Sequence, residues 1–200
     1  KESNTLILAE ETDAAALRAA TLSVSQRVPM VTYDASIRPQ ISQLLADLDV
    51  DQLLVIGNVP WASQNGQLEV IHDPGNTKAL GEYTAFRFTS KVVMSRERMV
   101  DNIARLDSST KTELKAAWEP LPQHITKEKM PAIPAQARRD AQMAPVIVAT
   151  AESPLANVVN ATAYGGTVFV MTEPDPSATK AGAAITAGLS EGPIAVSYTH

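Results

Sequence analysis

Two acidic stretches follow directly on apolar runs, and they are the first places in this chain where chemistry could sit. Glu10, Glu11 and Asp13 come just after Thr5 to Ala9, and Glu152-Ser153 comes just after Val146 to Ala149. Ligands of open parallel sheets bind outside the carboxyl ends of the strands, so carboxylates there could hold a cation, take a proton or turn away an anion. The plainer reading is that Asp13 and Ser153 cap the helices that follow, with acidic charge favoured at a helix N-terminus. Tyr33 and Asp34 after Thr32, and Glu173 and Asp175 after Thr172, would lie on the same rim. Trp61, in a loop, could stack on a sugar ring or simply pack. Arg96, Arg98 and Arg105 with Lys91, Lys111 and Lys115 form the most basic region, and Arg138-Arg139 adds a second pair. Solvated helix faces are the usual explanation of such groups.

Several chemistries are absent as signatures. There is no Walker loop, no G-x-G-x-x-G and no G-x-S-x-G, so phosphate cradling and acyl transfer have no motif to rest on. His72-Asp73 stands before Pro74-Gly75 and reads as a turn, His124 lies in a proline-rich stretch, and His200 is terminal. With no cysteine and three scattered histidines, no ligand spacing for a metal emerges, and no cofactor is expected. Asn160-Ala161-Thr162 matches a glycosylation sequon but falls mid-helix. Seventeen basic against 22 acidic residues, a net charge of -5, disfavour nucleic acid as a partner. No run approaches the roughly 20 apolar residues of a membrane span. The opening KESNT has neither the basic start nor the apolar middle of a signal peptide.

The elements that would carry these residues repeat. Shifted by 140 positions, Val146-Ile147-Val148-Ala149 falls on Leu6-Ile7-Leu8-Ala9, Ser153 on Asp13, and Val168 to Thr172 on Val28 to Thr32. After one inserted residue the pattern continues, pairing Leu44 with Ile185, Leu53 with Ile194 and Val55 with Val196. Each copy reads as a buried strand, an Ala-rich helix, a second strand, an amphipathic helix and a third strand. In the first copy the strands are Thr5 to Ala9, Val28 to Thr32 and Gln52 to Gly57, with Ile37, Ile41, Leu44, Leu45 and Leu48 on one helix face. In the second they are Val146 to Ala149, Thr167 to Met171 and Ile194 to Tyr198, with helices Ser153 to Tyr164 and Ser177 to Ala187 and a left-handed exit at Gly165-Gly166. Strands alternating with helices of this size require parallel crossovers.

The fold expected is therefore α/β: two β-α-β-α-β units with parallel, Rossmann-like layers, residues 1–57 and 145–200, related by an approximate two-fold. Between them lie an irregular middle segment, 58–119, and a proline-rich linker, 120–144. The middle segment should hold a strand at Leu68 to Ile71, a further one within Ala85 to Met94, a helix from Ser95 with Met99, Val100, Ile103 and Leu106 inward, and a second helix over Ser109 to Trp118.

The runs Asp13-Ala14-Ala15-Ala16-Leu17, Val28 to Thr32 and Leu54-Val55-Ile56-Gly57, with their counterparts Ser153-Pro154-Leu155-Ala156, Val168 to Thr172 and Ala195-Val196, resemble the cell wall-binding repeat 2 family of secreted Gram-positive proteins. The likeness covers about half the chain. That family usually carries three repeats, its paired glycine is here Gly57-Asn58, and its R-Y-x-T-A run is echoed only in Glu82-Tyr83-Thr84-Ala85. The resemblance implies a secreted or wall-attached, non-catalytic protein whose partner is a cell-wall polysaccharide, met by Trp61, Tyr33, Arg96 and Arg98. The competing expectation is a small-molecule binder or enzyme with its site at the strand ends, at Glu10, Glu11, Asp13, Asp34, Glu152 and Ser153. A homo-oligomer or a longer parent chain is compatible with either.

Overall fold

The computed structural model describes residues 4–62, 68–109, 111–137, 145–173, 175–188 and 194–196. Strands β1 (Thr5–Ala9), β2 (Met30–Thr32), β3 (Gln52–Ile56) and β4 (Glu69–His72) form one sheet in the order β2-β1-β3-β4. Strands β7 (Val146–Thr150), β8 (Thr167–Met171) and β9 (Ile194–Val196) form another in the order β8-β7-β9. All neighbours in both are parallel. The two copies thus share a strand order, and the pairing of first with third strand has the same register: Leu6 faces Leu53 as Val146 faces Ile194. Ile7 faces Met30 whereas Ile147 faces Val168, two positions earlier than the repeat would place it. A slip of two keeps every side chain on its own face, which is why the apolar pattern survives it.

Helix α1 (Asp13–Gln26) joins β1 to β2 and is buried from Ala14 to Gln26, because its alanines and small hydroxyl residues let neighbours approach on every side. Its cap is Thr12, whose hydroxyl accepts from the Ala15 N–H, and Asp13 is the first helical residue instead of the cap. In the second copy Ser153 is not a cap either. Its Oγ accepts the N–H of Thr150 at 3.0 Å, closing the strand end, while Pro154 occupies the cap position of α5 (Leu155–Tyr164) without a side-chain bond. Gly165 ends α5 in the left-handed conformation, φ 101°. Helix α2 (Arg38–Asp47) follows a 3-10 turn at Ala35–Ile37 and buries Ile41 and Leu45, while Ile37 stays exposed. Helix α6 (Lys180–Gly188) precedes β9, and Tyr198 lies outside the described residues.

The middle segment differs most from expectation. Thr77–Thr84 is a helix, α3, started by Asn76, whose side chain accepts from the Ala79 N–H. Strand β5 (Thr89–Val93) leads through α4 (Met99–Ala104) to a strand, β6 (Thr112–Ala116), where a helix over Ser109 to Trp118 was expected. Glu, Leu, Lys and Ala favour helix locally, but pairing with β5 overrides that weak preference and buries Glu113 and Leu114 on opposite faces. The β5–β6 pair is parallel, and its register copies that of β1–β2: Lys91 and Leu114 face each other 84 positions on from Ile7 and Met30. The chain therefore contains a third β-α-β unit.

The three units are arranged in a ring rather than about a two-fold. Helix α1 of the first lies on β6 of the second, α4 of the second on β8 of the third, and α5 of the third on β2 of the first. The helices meet one another in the middle, and one apolar core containing Leu17, Leu22, Met30, Val100, Ile103, Leu114, Val158 and Val159 runs through all three units. Two outer edges are closed by polar side chains at matching places. Thr21 Oγ1 of α1 accepts the N–H of Leu114 on β6 at 3.0 Å, and Asn160 of α5 both accepts the N–H and donates to the C=O of Met30 on β2, at 2.8 and 2.9 Å. Sheet edges left open invite further strands, so each helix also acts as an edge guard for its neighbour.

Residues 120–137, expected as a linker, run as a strap along the first unit. His124 N–H donates to Pro74 O, Ile133 N–H to Tyr83 O and Gln136 N–H to Gln26 O. Met130 N–H donates to Glu82, holding that carboxyl below its usual range, and Ile133 is 1% exposed.

Candidate functional site

The N-terminus of α1 meets the carboxyl ends of β5 and β6, and three chain segments converge there. Asp13 Oδ2 accepts from Arg96 Nε, which follows β5, and from Trp118 Nε1 at 2.9 Å, which follows β6. The next residue, Glu119, accepts the N–H of Ala14 at 2.8 Å. Glu119 and Thr12 thus satisfy the free N–H groups of Ala14 and Ala15 in the first turn, and Asp13 and Glu119 place negative charge where the helix dipole favours it. Arg96 keeps 72% of its side chain in solvent and Trp118 is 39% exposed, so one carboxylate oxygen fixes a guanidinium and an indole side by side on the surface. A cleft of about 170 Å³ adjoins them, lined by Ala14, Arg18, Gly75, Glu113, Lys115 and Glu119.

The inner wall of that cleft is a buried ion network. Arg18 of α1 binds Asp73 through both Nε and Nη2 at 2.9 Å, Glu113 through Nη1 at 3.0 Å, and the carbonyl of Asn76 at 2.8 Å. The other oxygen of Glu113 accepts from Thr77 and Ser90, each at 2.9 Å, and lies 3.2 Å from Lys115 Nζ. Arg18, Asp73 and Glu113 are 2%, 6% and 2% exposed. Two cations and two carboxylates balance, and the donors and acceptors of the three buried groups are engaged with one another, as buried charge requires. Tyr83, 1% exposed, brings its hydroxyl beside Asp73 without a hydrogen bond of ordinary length, and burial with the neighbouring carboxylate pushes its phenol well up. The network ties α1, the end of β4 and β6 together.

The remaining candidate residues lie in separate places. Glu10 Oε2 accepts the N–H of Asn58 at 2.9 Å and folds over Gly57, whose φ of 81° and missing Cβ make room for it. Glu11 and Arg98 are exposed. Tyr33 and Trp61 meet edge to face, 6.4 Å between ring centres, and Arg38 covers Trp61 at 4.8 Å. Trp61 is 7% exposed, so its ring faces are taken up by the protein. Asp34 accepts from the Ser36 N–H at 2.7 Å, which holds its carboxyl below the usual range, and Asp175 is held low by the Ser177 hydroxyl and N–H, which both donate to it. Glu152 is exposed beyond β7. The structure therefore joins Asp13 to Arg96 and Tyr33 to Trp61, and it does not gather the acidic strand ends onto one rim, because the ring turns the three sheets apart.

Trp118, Glu119, Arg18 and Glu113 are partners that the sequence does not single out, and Asp73, expected as part of a turn, is a buried ligand of Arg18. Arg18 had a signal: beyond the first residue, Asp13, it is the one charged residue of an alanine-rich helix. His72 and His124 face a common groove of about 450 Å³ between β4 and the strap. Among the described residues no group of three or more His, Asp or Glu is placed to hold a metal ion, and no helix is long and apolar enough to cross a membrane. Arg138-Arg139 and His200 lie outside the described residues. No family model, no curated protein and no solved structure matches the chain.

Proposed function

We propose that this protein is a non-catalytic binding module of the cell envelope that holds a cell-wall glycopolymer at the Asp13–Arg96–Trp118 rim. The observation that carries the reading is the shared carboxylate: Asp13 pre-orients an exposed indole and an exposed guanidinium as neighbours. An indole face stacks on the apolar face of a sugar ring, and a guanidinium fork pairs with phosphate or carboxylate groups along the chain. Trp118 here takes the role that Trp61 was expected to play. The resemblance to wall-binding repeats supports the envelope location and the glycan class. A catalytic role has less support, because the buried charges beside the cleft, Arg18, Asp73 and Glu113, are bound to one another.

The test is sedimentation of the purified protein with isolated Gram-positive cell walls over a salt series. Wild type should bind less as salt rises, since a surface ion contact is screened within about 10 Å at 0.1 M. Trp118→Ala and Arg96→Ala should each weaken binding several-fold, with only the Arg96 change flattening the salt dependence. No co-sedimentation at any ionic strength, or binding untouched by both changes, overturns the proposal.

A further inference from the structure

Each unit has a first strand, and in two of the three that strand is paired on both sides. Strand β1 lies between β2 and β3, and β7 lies between β8 and β9. Their counterpart β5 has β6 on one side and, among the described residues, nothing on the other. The phase of the ladder says which groups are left over. Thr89 donates to Lys111 O and Val93 accepts from the Ala117 N–H, so residues 89, 91 and 93 face β6 while Ser90, Val92 and Met94 point their N–H and C=O outward. Their counterparts 84 positions back are Leu6, Leu8 and Glu10, which face β3, and Glu10 N–H bonds Ile56 O at 2.9 Å. The edge of β5 is therefore a strand position that the other two units fill and that, among the described residues, this one does not.

We propose that a second copy of this chain fills it, β5 pairing antiparallel with β5 about a two-fold axis through Val92. The register follows from the phase and the charges. An axis at Val92 pairs all three outward residues, Val92 with Val92 and Ser90 with Met94, and sets Lys91 opposite Val93. An axis one position earlier would oppose Lys91 to Lys91, which like-charge repulsion disfavours. The pairing also covers Val92 and Met94, which stand 52% and 71% exposed on one face of the strand. None of the guards seen on β2 and β6 protects this edge: Asn160 and Thr21 close those strands, and β5 carries only Lys91.

The area sets the strength. A six-residue edge is about 20 Å long and covers roughly 300–400 Å² per partner, about half of the 800 Å² in a standard interface, so the dimer is weak and depends on concentration. Its two rims would lie at opposite ends of a four-stranded sheet, where two wall contacts would reinforce each other. The self-association does not depend on the wall-binding reading.

The chain has no cysteine, so single-cysteine variants report the register cleanly. Under mild oxidation Val92→Cys should cross-link to itself, because paired residues in this geometry stand about 5.5 Å apart at Cα, within disulfide reach. Ser90→Cys and Met94→Cys should each cross-link poorly alone and well when mixed. Sedimentation of wild type up to about 0.5 mM, a concentration suited to weak dimers, should show a rising dimer fraction. Val92→Pro should abolish it with the thermal melt unchanged, since that N–H is not used by β6. A wild type that stays monomeric throughout, or cross-linking that ignores the register, overturns the proposal.

Discussion

Replacing Arg18 with Met tests what holds the ring together. The substitution keeps most of the volume and removes four hydrogen bonds, two to Asp73 and one each to Glu113 and the Asn76 carbonyl. It leaves two carboxylates that are 6% and 2% exposed, with Lys115 alone as a counter-charge for Glu113. Breaking a buried pair by removing one partner costs about 3–5 kcal/mol, because the other charge stays desolvated and unpaired. For a domain of this size that is roughly 10 °C or more in melting temperature. Urea unfolding, followed by the fluorescence of Trp61 and Trp118, measures it. Adding Asp73→Asn and Glu113→Gln to Arg18→Met should restore more than half of the loss. A single variant within about 1 kcal/mol of wild type at neutral pH would refute the reasoning, because the penalty for an unpaired buried charge would then be missing.

Three other substitutions or titrations follow from the same geometry. Asn160→Asp keeps the shape but turns the donor facing Met30 O into an acceptor, and should cost about 1–3 kcal/mol in urea unfolding; mass spectrometry of glycosylation-competent expression should find Asn160 unmodified, since both ends of its amide are bonded to Met30. Gly75→Ala places a Cβ 2.4 Å from the Pro122 carbonyl at a φ of 75°, so the strap must shift, and limited proteolysis should cut residues 120–137 faster than in wild type. Tyr83 has its phenol raised in the folded state, so its neutral form adds stability below the unfolded value near 10, and that stability is lost as pH rises beyond it. Absorbance at alkaline pH should show one of the four tyrosines ionising only on unfolding, and Tyr83→Phe should abolish that late step.

The first and third units are readable from the chain because their first strands are covered on both sides and so are written as continuous apolar text, Leu6-Ile7-Leu8-Ala9 and Val146-Ile147-Val148-Ala149. The second unit has the same register but reads Thr89-Ser90-Lys91-Val92, because among the described residues no strand covers its outer edge and polar residues carry no penalty there. Its partner strand, Thr112 to Ala116, is built from helix-favouring residues and is held extended by its pairing with β5 and its packing on α1. The edge guards leave no local trace: Thr21 and Asn160 sit inside helices, and only the ring brings them to Leu114 and Met30. The rim was half legible. Asp13 and Arg96 were both candidates, but their contact spans 83 positions, and Trp118 looked like the end of a helix.

With two tryptophans in the chain, fluorescence separates the rim from the core. Solubilised wall glycopolymer is titrated into wild type, Trp61→Phe and Trp118→Phe, and emission is followed to saturation. Wild type and Trp61→Phe should change to the same extent at the same polymer concentration, and Trp118→Phe should give little signal and bind several-fold more weakly in a parallel sedimentation assay. A full response from Trp118→Phe, or none from any of the three at low salt, would contradict the glycan-binding rim.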